Sequence, residues 1–149
     1  MNQFPPLFRG ENIRLTDVRK EDLEVIQRSY DDAAFSRLFD AAPAAPKSRT
    51  QLERWLTESQ QQDNAYLFAI RFISSALCIG WVELDGILWT MGVAGLSIAI
   101  PDSQHQGKGY GMEAMRLLID FAFYELNLHR LQLTVFDYNT RAVSLYERL

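Results

Sequence analysis

Residues 97–111, SIAIPDSQHQGKGYG, constrain this chain more than any other stretch. A short apolar run, Ile98, Ala99 and Ile100, is stopped by Pro101 and followed by polar residues, then Gly107, Gly109 and Gly111, and then by an apolar helical pattern. The order is strand, glycine-rich turn, helix. A turn of this kind aims backbone N–H groups at one point, where the positive end of the helix dipole favours an anion. A phosphate or pyrophosphate is the natural ligand, because glycine permits close backbone approach and positive φ. The same residues also suit a tight turn with no ligand, and the glycines alone leave both readings open.

Two nucleotide motifs fail on single residues. A dinucleotide fingerprint starting at Gly107 needs glycine where Met112 stands, and a P-loop needs Ser or Thr after Lys108, where Gly109 stands. A dinucleotide-binding half would also need a parallel βαβ unit, whereas the strands before the turn read as hairpins.

The chain's 149 residues, 48% of them hydrophobic, suit one domain over residues 1–149. A net charge of -4 offers no excess of cations for a nucleic-acid backbone or an anionic membrane, so neither is an expected partner. The opening residues lack the basic and apolar regions of a secretory signal, and no apolar run is long enough to span a membrane. Cys78 is the only cysteine, so no internal disulfide can form; a buried inert thiol and a cytoplasmic location are expected.

Periodicity supplies the elements. In residues 12–18, Ile13 and Leu15 alternate with Arg14 and Thr16, the pattern of a half-buried strand. Residues 20–30 place Leu23, Ile26 and Tyr30 at helical spacing, with Lys20, Glu21, Asp22 and Glu24 as a solvated face. Residues 33–39 read as a second helix, 41–46 as an Ala/Pro loop, and Ser48 as the cap of a helix to about residue 62. Three strands are expected at 65–73, 76–84 and 94–100, consecutive and antiparallel, with turns at Ser74-Ser75 and Asp85-Gly86. Residues 109–127 form the clearest helix, with a wet stripe in which Glu113 pairs with Arg116 and Arg116 with Asp120. A last strand follows at 131–135, and Asn139 caps a final helix. Trp55, Trp81 and Trp89 are expected in packing roles, and His105 and His129 show no metal-site spacing.

Two groups of residues carry a resemblance to the GNAT superfamily of N-acetyltransferases. Gln104, Gly107 and Gly109 match its pattern of Gln or Arg, two residues, Gly, one residue, Gly or Ala. Asn139, Ala142, Leu145, Tyr146 and Glu147 match a second feature one helix and one strand later. The residues Ile13-Arg-Leu-Thr16 with Glu21-Asp-Leu23, and Glu113-Ala114 after the glycines, look most like the branch of ribosomal-protein alanine and spermidine acetyltransferases.

The resemblance implies an α+β fold with a mixed, largely antiparallel central sheet flanked by helices. It implies acetyl-CoA as cosubstrate, no metal, and transfer to a primary amine by direct attack, the amine being a protein N-terminus, a polyamine or a small molecule. A domain of the same fold that binds acyl-CoA or a partner without catalysis is the alternative. By residue-wise match, Ile98, Ala99 and Ile100 pair with the pantetheine arm, the amides from Gln106 through Gly107, Lys108, Gly109, Tyr110 and Gly111 hold the pyrophosphate, and Asn139 hydrogen-bonds the arm. Tyr146 protonates the leaving thiolate. Relatives that carry a glutamate five residues before the asparagine have Thr134 as its counterpart here, so Glu83 becomes the candidate base. Family members usually continue after Tyr-Glu-x-Leu with two more strands, so the sheet is expected to be incomplete at its C-terminal edge, and the chain alone is expected to self-associate, for example as a homodimer, or to be less stable and less active than a version extended by those strands.

Overall fold

The computed structural model of this chain describes residues 6–39 and 43–149. The opening residues, read as lacking a secretory pattern, and the start of the expected 41–46 loop lie largely outside them. In chain order the elements are β1 (Ile13–Thr16), α1 (Leu23–Tyr30), α2 (Ala33–Phe39), α3 (Arg49–Gln60), β2 (Tyr66–Phe72), β3 (Cys78–Leu88), β4 (Val93–Ala99), α4 (Tyr110–Asp120), β5 (Arg130–Gln132) and α5 (Thr140–Glu147).

The strands form one sheet in sequence order, with β1 to β4 antiparallel and β5 added parallel to β4. Alternation along β3 divides its side chains between two cores. Ile79, Val82 and Leu84 face α4 with Ala114, Met115 and Leu118, while Cys78 and Trp81 face the α1–α3 layer with Leu23, Ile26, Leu52 and Leu56. The Phe35 and Phe39 rings from α2 pack against Trp81 in T-shaped geometry. Cys78 is buried with its thiol donating to the Gly80 carbonyl at 3.4 Å, and desolvation pushes its pKa up to about 11, so it stays a protonated thiol. Trp89 departs from the packing expectation, being 46% exposed with its indole N–H on the Asp63 carbonyl at 3.3 Å.

The caps fall where the side chains called for them. Ser48 Oγ accepts from the Gln51 amide at 3.1 Å, and Asn139 Oδ1 accepts from the Ala142 amide at 3.2 Å. Four features differ from the sequence reading, three of them boundaries. The hairpin after β3 does not turn at Asp85-Gly86: β3 runs on to Leu88 through an irregularity between Asp85 and Leu88. The long helix stops as an α-helix at Asp120 and continues as one π-turn, Phe121–Glu125, in which the Leu126 amide bonds the Phe121 carbonyl at 3.1 Å. Asn127, at φ 55°, then ends it in the left-handed conformation that asparagine tolerates. The last strand is Arg130–Gln132, shorter than the expected 131–135.

The fourth difference is chemical. Asp22 is not on a solvated face: it is 3% exposed and bonds the guanidinium of Arg71, itself 4% exposed. The carboxylate also accepts the Arg19 amide at 2.8 Å, and Arg71 Nε donates to Thr16 Oγ1 at 2.8 Å. The pair therefore ties the start of α1 to β1 and β2 under the sheet edge. Removing one partner leaves a buried charge uncompensated, so Asp22→Ala should cost about 3–5 kcal/mol in urea unfolding. Replacing Asp22 and Arg71 together by apolar residues should recover much of that loss; a small loss for the single variant would show that water reaches the pair.

Candidate active site

The cleft follows from how β4 leaves the sheet. β5 pairs only with Val93, Ala94 and Gly95, so from Leu96 onward β4 has a partner in β3 and none on its other edge. That edge, with Ile98, Ala99 and Ile100, forms one wall of a cleft of about 720 Å³ bounded by α2, the glycine turn, α4 and α5. Backbone N–H and C=O groups along such an edge are open to an extended ligand.

The glycine turn closes one end of the cleft. Gly107 has φ 70° and Gly109 φ 88°, and a Cβ placed on either would meet nothing within 4 Å. Conformation therefore requires glycine here, and the space beside both backbones is open toward the cleft they line. Gly109 is the N-cap of α4 and offers no side chain to its first-turn amides. Those N–H groups and the helix dipole point at one place with no internal acceptor, a setting that favours an anion.

Ile98, Ala99, Ile100, Gln106, Gly107, Lys108, Gly109, Gly111 and Asn139 all line this cleft. Two of them come to it with their polar groups already engaged. The Gln106 amide closes a 3-10 turn on the Ser103 carbonyl at 3.2 Å, and its side-chain Nε2 holds the Ile100 carbonyl at 2.6 Å. Gln106 thus braces the end of β4, and the run of free amides begins at Gly107. Asn139 uses Oδ1 to cap α5 and Nδ2 to bond the Leu38 carbonyl at 3.2 Å, fastening α5 to α2. Tyr110 turns its ring away from the cleft, edge-on to Phe72 at 5.0 Å, and contributes only backbone.

The two candidate proton carriers are not among the lining residues. Tyr146 follows cleft-lining Leu145 on α5 and packs half-buried against the α4-side core. Burial raises its pKa above the usual phenol value, so it is a protonated donor at neutral pH. Glu83 stands on β3 opposite Ser97, on the face of Trp81, one strand pair beyond cleft-lining Ala99. That is about 7 Å along the sheet. Burial, and then the neighbouring Asp85 carboxylate, push its pKa up to about 7.

The sequence reading missed the role of Glu113. It makes no ion pair with Arg116 among the described residues; its Oε1 accepts the amides of Asn12 at 2.7 Å and Ile13 at 3.0 Å, and its Oε2 accepts Asn12 Nδ2 at 3.2 Å. The first turn of α4 is thereby pinned to the start of β1. Arg116 and Asp120 likewise form no pair with each other among the described residues. Only the separation of about 100 residues between the partners hid this contact, since i to i+3 spacing is visible in sequence and a strand-to-helix hydrogen bond is not.

Residues 12–149 match the Acetyltransferase (GNAT) domain family. The chain belongs to that family. It is 28% identical over 142 residues, 95% of its length and 77% of the relative's, to an uncharacterized SPbeta prophage-derived N-acetyltransferase, YokL, of Bacillus subtilis. Over a shorter stretch of 69 residues, 46% of this chain and 39% of the relative, it is 41% identical to spermidine N(1)-acetyltransferase of Vibrio cholerae. The solved structure of spermidine N-acetyltransferase from Vibrio cholerae in complex with CoA and spermine superposes with a TM-score of 0.81 at 27% identity, covering 91% of this chain and 78% of that one. The mixed five-stranded sheet is thus the GNAT fold, and this chain is an acetyl-CoA-dependent N-acetyltransferase domain.

Glu83 gives the site a measurable pH signature. Its folded pKa near 7 lies above the ordinary 4.5, so the folded protein holds this proton more tightly than the unfolded chain does. The stability it contributes is complete below pH 4.5 and is lost as pH rises through 7. Glu83→Gln should accordingly be more stable than the parent above pH 7, by about 1–2 kcal/mol after allowance for partial solvent screening, and equal to it near pH 4. Denaturant unfolding at both pH values measures the difference; a constant offset would place the Glu83 pKa in the ordinary range.

Proposed function

We propose that this domain binds acetyl-CoA in the cleft beside β4 and transfers the acetyl group to a primary amine by direct attack, with a polyamine as the acceptor class. One observation carries the cofactor reading: the unpaired edge of β4 runs straight into a turn whose positive-φ glycines leave the first-turn amides of α4 uncapped. A pantetheine arm is a chain of amides that can pair with a strand edge, and a pyrophosphate suits uncapped helix amides. The spermidine acetyltransferases among the relatives support the polyamine. An acidic chain of net charge -4 is also compatible with a cationic acceptor.

In this reading the Ile98, Ala99 and Ile100 backbone orients the arm, and the amides of Gly107 through Gly111 hold the diphosphate with Lys108 beside them. Gln106 and Asn139 act as braces, one on Ile100 and one between α5 and α2. An amine of ordinary pKa near 10.4 must lose a proton to attack, at a cost of about 4–5 kcal/mol at pH 7. Glu83, poised near 7, accepts that proton through water, being too far along the sheet for direct contact. Tyr146, kept protonated by burial, donates to the departing thiolate. Its hydroxyl makes no hydrogen bond within the protein among the described residues and so is free for this role.

Two variants test the assignment. Gly109→Val should remain folded, because its Cβ has open space and only backbone strain opposes it, yet should weaken CoA binding at least about tenfold by calorimetry. Unchanged affinity would remove the glycine turn from the site. Tyr146→Phe should bind CoA as the parent does and lower kcat with spermidine by about ten- to a hundredfold; equal turnover would take Tyr146 out of the reaction.

A further inference from the structure

α2 is seven residues long, and a helix below about 12–15 residues is marginal in water by itself. Its neighbours must hold it. On one side the rings of Phe35 and Phe39 pack against Trp81 at centroid distances of 6.3 and 5.7 Å. Trp81 is the register partner of Ala99 and stands two residues before Glu83 on the same face of β3, so α2 covers the ground between the open edge of β4 and the proposed base. An amine that attacks a thioester held on that edge approaches past α2.

The other hold on α2 comes from far along the chain. The last four carbonyls of an α-helix have no partner within it, and those of Arg37 and Leu38 are among the last four of α2. Tyr138 Oη donates to the Arg37 carbonyl at 2.8 Å, and Asn139 Nδ2 donates to the Leu38 carbonyl at 3.2 Å, each across 101 residues. Asn139 Oδ1 also caps α5, so one amide ends α2 and starts α5, and the negative end of one helix dipole meets the positive end of the other. Tyr138 is 56% exposed with its ring stacked on Phe136 at 5.1 Å, and it reaches α2 from the surface by its hydroxyl. The joint therefore ties two walls of the same cleft, α2 with Phe35, Leu38 and Phe39, and α5 with Ala142 and Leu145.

We propose that Tyr138 is a positioning residue for the acceptor: through the Arg37 carbonyl it fixes α2 over Trp81, and with α2 the wall past which the amine reaches the acetyl group. The inference rests on the acetyl-transfer reading above and deepens it. The donor needs nothing from the Tyr138 hydroxyl, because the β4 edge is held by β3 and Gln106, and the glycine turn by its own conformation. Tyr146 is equally independent of it, since the cap of α5 is made by Asn139. Loss of the hydroxyl thus loosens α2 alone and weakens acceptor binding, while acetyl-CoA affinity and the chemical step stay as they are.

Tyr138→Phe keeps the ring on Phe136 and removes only the bond to Arg37, while Asn139→Asp keeps an acceptor for the α5 cap and removes the donor to Leu38. Hydrogen exchange of the intact chain, read by mass spectrometry, should quicken in residues 33–39 of Tyr138→Phe and stay as in the parent through β2, β3 and β4. Calorimetry should give the parent's CoA affinity. Steady-state kinetics should give a KM for spermidine about three- to tenfold higher at nearly unchanged kcat, the effect of one hydrogen bond. Asn139→Asp should raise the same KM. Unchanged exchange in α2, or an unchanged KM in the active Tyr138→Phe variant, would overturn the inference alone. So would a loss of CoA affinity or of kcat as large as the rise in KM, since that marks a general structural role. A parent that binds no CoA, or that turns over no spermidine, would instead overturn the reading on which the inference rests.

Discussion

β4 and β5 part after three paired residues, and the remainder of the site depends on that parting. A parallel pair joined through a helix ordinarily continues along both strands, with every inner backbone group satisfied. Here the shared ladder ends at Gly95 and Gln132, and β4 continues toward the glycine turn paired with β3 on one edge only. Backbone that would otherwise be structural becomes surface. The cost is an exposed strand edge, and the gain is a wall of aligned donors and acceptors beside a helix N-terminus.

Several contacts hold that gap in shape. Gln106 bonds the Ile100 carbonyl, Glu113 fastens the start of α4 to β1, and Asn139 fastens the start of α5 to α2. Each uses a polar side chain, the first across six residues and the other two between elements about 100 residues apart. Their common effect is to fix three walls of the cleft before any ligand arrives, which reduces the ordering that binding requires. Asn139 shows how a residue of a family motif can serve the scaffold, since both ends of its amide are engaged within the protein.

Protonation is distributed in the same economical way. Burial raises both Tyr146 and Glu83, with opposite practical results. A phenol pushed upward is held firmly as an acid at neutral pH, while a carboxyl pushed to about 7 is divided between acid and base. Desolvation is the first cause of both shifts, with the Asp85 carboxylate adding to that of Glu83.

The linear chain determined what depends on neighbours within a few residues. The strand alternation at Ile13 and Leu15, the caps at Ser48 and Asn139, the glycine turn and the two family motifs were all legible, because pleat, helix period and cap geometry are local. Tertiary structure decided the rest. That Asp22 pairs with Arg71 rather than facing water, that Glu113 serves β1 rather than Arg116, and that β5 stops at Gln132 all depend on approaches between distant segments. Sequence spacing reports which residues can share a face, but which face meets which is settled only when the whole chain has buried its apolar area and satisfied its backbone.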